Sequence, residues 1–203
     1  MPNPIFRRTL VPLAVAVALV LSSCSGGHSS SGHGSGTDAA STIPADAAFN
    51  QSDVGFSQGM ITHHRQAVVM ADDALARSAN PAVVALATKI KAAQEPEIAL
   101  MTSWLQTWGE PMPDPEHGQH MTEMSGMEMS GIMTDAQMTE LANASGQAFD
   151  TLFLELMIEH HQGAITMAND EIANGKSPEA VALAKSIITA QQSEIDEMKA
   201  LLA

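Results

Sequence analysis

The chain has 203 residues, a formal charge of −14 and a single cysteine, Cys24. So acidic a chain repels nucleic acid and anionic headgroups, which excludes both as expected ligands. One thiol likewise excludes a disulfide framework and a cysteine-based metal site.

Residues 1–23 read as a signal rather than as fold. Arg7 and Arg8 give a positive flank, and Leu10 to Leu21 is an apolar run interrupted only by Pro12. That run is too short to span a bilayer as a helix. It ends in Leu21-Ser22-Ser23-Cys24, which resembles a bacterial lipoprotein signal in which Cys24 becomes the lipidated first residue. The alternative is an ordinary secretory signal followed by a stray cysteine. Removal of both signal arginines would leave 7 Lys/Arg against 23 Asp/Glu. Lipidation at Cys24 would add the two or more acyl chains that stable membrane anchoring needs. Residues 24–48 are rich in Ser and Gly, with His28 and His33, and read as a flexible tether. Residues 49–203 are long enough for one domain with its own core.

Within that domain the sequence repeats. Shifted by 97 residues, 53–105 falls on 150–202 without a gap, with 23 of 53 positions identical. Such agreement is an internal duplication. Each copy reads as two helices, over about 53–78 and 81–108 and again over 150–173 and 178–202, with apolar residues at three- and four-residue spacing. Asn80-Pro81 and Ser177-Pro178 each put an N-cap residue before a proline at the first helical position. Asn174-Gly175 suits the stop of the preceding helix. Short connections imply antiparallel hairpins, and two hairpins packed together predict an all-α four-helix bundle. Thr134-Asp135 predicts one short extra helix over 135–143.

The insert between the copies, 109–133, differs in kind. It opens with Pro111, Pro113 and Pro115, then carries His117, His120, Met121, Met124, Met127, Met129 and Met133. It has no core-like period, so its methionines lack the usual reason of filling a core. Met121, Met124, Met127 and Met129 suit Cu(I), which takes thioether ligands; a flexible low-complexity loop is the alternative.

Both first helices carry one sentence of residues. Phe56, Met60, Ile61, His63, His64, Ala67, Met70 and Ala71 match Phe153, Met157, Ile158, His160, His161, Ala164, Met167 and Ala168. On a helical wheel Phe56, Met60, Ala67 and Ala71 form a stripe, with His63 on one flank and His64 on the other. Adjacent histidines point about 100° apart, so one ion need not use both. On the second helices Gln94 and Glu97, with Met101, share the apolar stripe, as do Gln191, Glu194 and Met198. Buried amides and carboxylates need partners, and histidines on the facing helix are the natural ones. Two accounts fit. His, Gln and Glu form a core hydrogen-bond network that fixes helix register; or they line a metal site, as ligands or as partners that orient the ligands.

Ferritin-like di-iron bundles place Glu three residues before His. Here that position holds Met60 and Met157. A thioether in place of a carboxylate disfavours iron and favours copper, Cu(I) above all, with zinc less well served.

The repeated F-x3-M-I-x-H-H-x2-A-x2-M-A sentence, followed by Gln94, Glu97, Ile98 and Met101 or Gln191, Glu194, Ile195 and Met198, resembles the family known as domain of unknown function 305. The resemblance covers about 53–202. It implies a ferritin-like four-helix bundle, copper binding in some members, and candidate ligands Met60, His63, His64, Met70, Met101, Met157, His160, His161, Met167 and Met198. The function expected is an extracytoplasmic, membrane-anchored metal-binding lipoprotein that binds, buffers or hands on copper to a transfer partner. The alternatives are a ferritin-like metal-dependent redox enzyme and a non-metal interaction bundle.

Overall fold

The computed structural model describes residues 43–114 and 130–203. The described residues form helices α1 (Gln51–Arg77), α2 (Pro81–Trp108), α3 (Asp135–Asn143), α4 (Gly146–Asn174) and α5 (Pro178–Leu202), and no strand. This is the all-α bundle the repeat predicts. No helix among the described residues is long and apolar enough to cross a membrane.

The helix ends follow the local chemistry. Asn50 caps α1 by accepting from the Ser52 and Asp53 amides, and Asp53 returns the bond to the Asn50 amide. The Asn80 and Ser177 side chains cap α2 and α5, each before its proline. Helix α4 starts four residues earlier than the repeat alignment suggests, because Phe149 extends the buried stripe. Its ring lies parallel to that of Phe153, with the Arg77 guanidinium 4.6 Å above its centre. Arg77 also donates to the Leu141, Ala142 and Ala144 carbonyls, satisfying the C-terminal end of α3 and fixing that short helix on the bundle.

Gly175 ends α4 for a reason the sequence does not announce. Its φ is −68°, so no left-handed turn demands glycine there. A Cβ would instead lie 2.2 Å from the Glu171 carboxyl and 2.7 Å from the Glu171 carbonyl.

Two apolar clusters fill the bundle. One joins Val54, Phe56, Met60 and Ile61 of α1 to Met101 and Leu105 of α2, Ala164 and Ala168 of α4, and Ala180, Ala184 and Ile187 of α5. The other joins the opposite halves, with Ala67 and Met70 of α1, Leu86 and Ile90 of α2, Phe153 and Met157 of α4, and Ile195 and Met198 of α5. The N-terminal half of α1 thus shares a cluster with the C-terminal half of α4, and the reverse, which makes the two antiparallel. Met133 is 3 % exposed and belongs to the second cluster. For Met133, this corrects the reading that the insert methionines serve no core.

At one end of the bundle Asp53 joins α1 to the α4–α5 turn. Its carboxyl oxygens accept from the Asn50, Lys176 and Ser177 amides at 2.6–3.1 Å. Buried beside it, Glu171 has neither oxygen paired as an acceptor. Burial, with the hydrogen bond to Asp53 and its charge, pushes Glu171 up to about 8. As an acid, Glu171 can donate to Asp53, which satisfies the group.

The native state therefore holds a proton that the unfolded chain releases near pH 4.5, so the contribution of Glu171 to stability falls as pH rises from about 4.5 to about 8. The Glu171→Gln variant keeps a donor without the titration. It should flatten this decline by up to about 1 kcal/mol per pH unit, read from urea midpoints at pH 5, 6, 7 and 8. Parallel profiles for the two proteins would contradict it.

Candidate metal centre

A layer of polar side chains separates the two apolar clusters. His63, His64, His160 and His161 are each 0 % exposed, and Gln94, Gln191 and Glu194 no more than 3 %. The wheel's two flanks resolve into two different environments. His63 and His160 meet across the α1–α4 contact, with ring centres 3.7 Å apart and planes inclined by 45°. His64 and His161 turn instead towards the second helix of their own hairpins. His64 Nε2 lies 2.7 Å from Glu97, and His161 Nε2 lies 2.8 Å from Glu194. The sequence separation is 33 residues in both pairs, so the duplication has preserved the contact as well as the residues. Lys89 of α2 approaches Glu194 to 4.0 Å, joining the two hairpins by charge.

The acceptors decide the histidine tautomers. A carboxylate and a peptide carbonyl only accept, so His64 and His161 carry a proton on Nε2. His63 does likewise, donating from Nε2 to the Ser130 carbonyl at 3.2 Å. Their Nδ1 atoms make no hydrogen bond, nor does either nitrogen of His160. The amide heads of Gln94 and Gln191 are also unpartnered. Native interiors leave few buried polar atoms unsatisfied, and most of those here gather in one layer.

Burial keeps the central rings neutral. It pushes the His63 imidazole down to about 3, with His64 adding repulsion and the Ser130 carbonyl opposing. His160 is held well below the ordinary histidine value by burial, then by His63, His161 and His64. Burial also lowers His161, against the hydrogen bond to Glu194. A neutral ring protonated on Nε2 offers its lone pair on Nδ1, and neutral imidazole is the ligating form.

The predicted thioethers divide between the two sides of this layer. Met60 and Met101 lie in one apolar cluster, and Met70, Met157 and Met198 in the other, all fully buried. Met60 and Met157 sit one helical turn before His63 and His160, on the same faces. Met167 is only half-buried, so the two copies differ there. Glu97 is likewise less enclosed than Glu194, its side chain 18 % exposed against 3 %. Among the described residues no three His, Cys, Asp or Glu side chains are arranged to hold a metal ion. Cys24, His117, His120, Met121, Met124, Met127 and Met129, with the tether histidines His28 and His33, lie outside the described residues.

Sequence reasoning did not find the parts of the insert that touch this layer. Ser130 supplies its carbonyl to His63, and Met133 exchanges two backbone bonds with the Gln66 side chain. A backbone carbonyl carries no residue-type signal. Gly163, an isolated glycine inside a helical pattern, is the signal that could have marked the close approach.

A family model described as domain of unknown function (DUF305) matches residues 53–202. No curated protein matches the chain. Three solved relatives share its fold. A DUF305 protein from Streptomyces coelicolor, described as a candidate secreted protein, is 34 % identical with a TM-score of 0.66, over 74 % of this chain and 90 % of its own. A DUF305 fragment from Deinococcus radiodurans is 32 % identical with a TM-score of 0.65, over 75 % of this chain and 96 % of its own. CopM in a Cu(II)-bound form is 35 % identical with a TM-score of 0.62, over 74 % of this chain and 95 % of its own. The same protein is also solved in a Cu(I)-bound form, with a TM-score of 0.60.

Proposed function

We propose, from the premise that this chain belongs to the DUF305 family, that it is an extracytoplasmic copper-binding protein that buffers the ion or hands it on. The observation that carries the proposal is the buried layer of histidines whose Nδ1 atoms lack partners, flanked on both sides by buried methionines. Imidazole with thioether is a donor set for a soft ion. Zinc prefers four His, Cys or carboxylate ligands in a tetrahedron, and the described residues offer no three such side chains arranged for a metal. The copper-bound forms of CopM support the reading, since that relative is 35 % identical. The Streptomyces relative, described as a candidate secreted protein, supports an extracytoplasmic location.

In this reading His63 and His160 are the central ligands, with Met60, Met157, Met101, Met198, Met70 and Met167 as the thioether supply. Glu97 and Glu194 orient His64 and His161 through Nε2, as carboxylates commonly do behind a metal-bound histidine. Cys24 carries the lipid that anchors the protein, and His117, His120, Met121, Met124, Met127 and Met129 add capture capacity.

Anaerobic titration of the protein with Cu(I) against a competing chelator tests this. Replacing His63, His64, His160 and His161 together by alanine should weaken binding tenfold or more. Equal affinity in the two proteins would remove the proposal.

A second reading has one observation in its favour. His64–Glu97 and His161–Glu194 are complete hydrogen bonds without any metal, as a structural network requires. That reading predicts a melting temperature indifferent to added copper, because a ligand that binds only the native state must raise it.

A further inference from the structure

The insert rejoins the bundle at Ser130–Met133, and four contacts seat this strap. The Ser130 carbonyl accepts from His63 Nε2 at 3.2 Å. The Gln66 side chain closes a two-bond clamp on Met133, accepting its N–H at 2.7 Å and donating to its carbonyl at 2.9 Å. Gly131 takes φ +77°, where a side chain is strained, and a Cβ on it would lie 2.7 Å from the Glu159 carbonyl. A Cβ on Gly163 would lie 1.8 Å from the Ser130 oxygen and 2.4 Å from its carbonyl carbon. Those neighbours are backbone, so the strap fits only against a glycine.

Gln66 and Gly163 are the same position in the two copies, 97 residues apart. Gln66 reaches out to hold the strap, and Gly163 withdraws to admit it. One strap crossing a duplicated bundle needs two different residues at that position, and the copies differ here.

We propose that Gln66 is a positioning residue for the histidine layer: by clamping Met133 it seats the Ser130 carbonyl on His63 Nε2 and so fixes the ring with its lone pair on Nδ1. His161 and His64 obtain the same tautomer from carboxylates on their own hairpins. His63 obtains it from the insert, which couples the insert to the central histidine pair. That the unpartnered lone pair serves copper rests on the function proposed above. The tautomer assignment does not.

Nitrogen-15 NMR of the metal-free full chain, labelled at histidine, reads the tautomer directly. In the unaltered protein His63 should show a single Nε2–H form with a slowly exchanging proton. Gly163→Ala, which places a methyl against the strap while favouring the helix, should mix the His63 tautomers and speed Nε2–H exchange tenfold or more. Gln66→Ala should do the same. Gln66→Glu retains the acceptor for the Met133 N–H but loses the donor to its carbonyl, so it should fall between. His161, held by Glu194, should keep its tautomer throughout, and its signal, with the helical circular dichroism, reports that the bundle is intact.

An Nδ1–H form of His63 in the unaltered protein would overturn the proposal without any variant. So would His63 signals that Gly163→Ala and Gln66→Ala both leave unchanged. Failure of copper binding leaves these signals as they are, so the two proposals fail separately.

Discussion

Replacing Glu194 by alanine should destabilise the metal-free protein by about 2–3 kcal/mol, and replacing Glu97 should cost roughly half as much. The two carboxylates make the same bond, at 2.8 and 2.7 Å, to equivalent histidines. They differ in surroundings. The Glu194 side chain is 3 % exposed, so its loss leaves His161 Nε2–H buried without an acceptor. The Glu97 side chain is 18 % exposed, and water can reach the hole left beside His64. Urea midpoints of the two variants measure the difference. Glu194→Gln keeps an oxygen that can accept from Nε2–H, so it should recover most of the loss. Equal losses for the two alanine variants would mean that the pairs are equally wet and that the burial difference has no energetic weight.

The bundle was legible because its signals are local and repeated. Asn80-Pro81, Ser177-Pro178 and Thr134-Asp135 mark helix starts by the chemistry of single residues, and the structure puts helices at those places. The polar stripe of Gln94, Glu97, Gln191 and Glu194 was legible too, since a carboxylate on an apolar face must find a partner. The division of labour within each His-His pair was not. Spacing says only that neighbours point about 100° apart; which of them faces the other hairpin depends on how α1 and α4 are rotated where they meet. The strap lay further out of reach. Its contacts join residues 67 positions apart, one partner of each being a backbone group, and nothing in the composition of 130–133 announces them.

Duplication explains both what repeats and what does not. The His–Glu bonds repeat because each lies within one hairpin, so each copy brings its own. The His63–His160 contact spans the copies and keeps the symmetry, but other features that span them occur once and break it. Gln66 and Gly163 differ because a single strap passes between them. Glu171 corresponds to Ala74, so the buried acid pair with Asp53 exists at one end of the bundle only. Gln66 against Gly163 and Glu171 against Ala74 are thus departures from the repeat tied to contacts made once in the chain.

Copper affinity should be nearly independent of pH between 7 and 5. A histidine of ordinary pKa, near 6.5, becomes protonated across that range and must lose its proton to bind a metal. Each such ligand costs roughly 30-fold in affinity over those two units. His63 is held down to about 3 and His160 well below the ordinary value, both chiefly by burial. His63 takes up no proton in the folded protein at pH 5, and burial disfavours one on His160, so proton competition at the central pair is weak. The expected difference from a site built on two exposed histidines is therefore about a thousandfold at pH 5. Burial acts the other way on the fold. Unfolding frees these rings to bind protons, so their contribution to stability declines as pH falls below about 6.5, opposite in sign to that of Glu171. Circular dichroism at each pH separates loss of fold from loss of binding. Chelator competition with Cu(I) at pH 7, 6 and 5, on protein that remains folded, measures the affinity. A fall of 100-fold or more would place the bound copper on histidines other than His63 and His160.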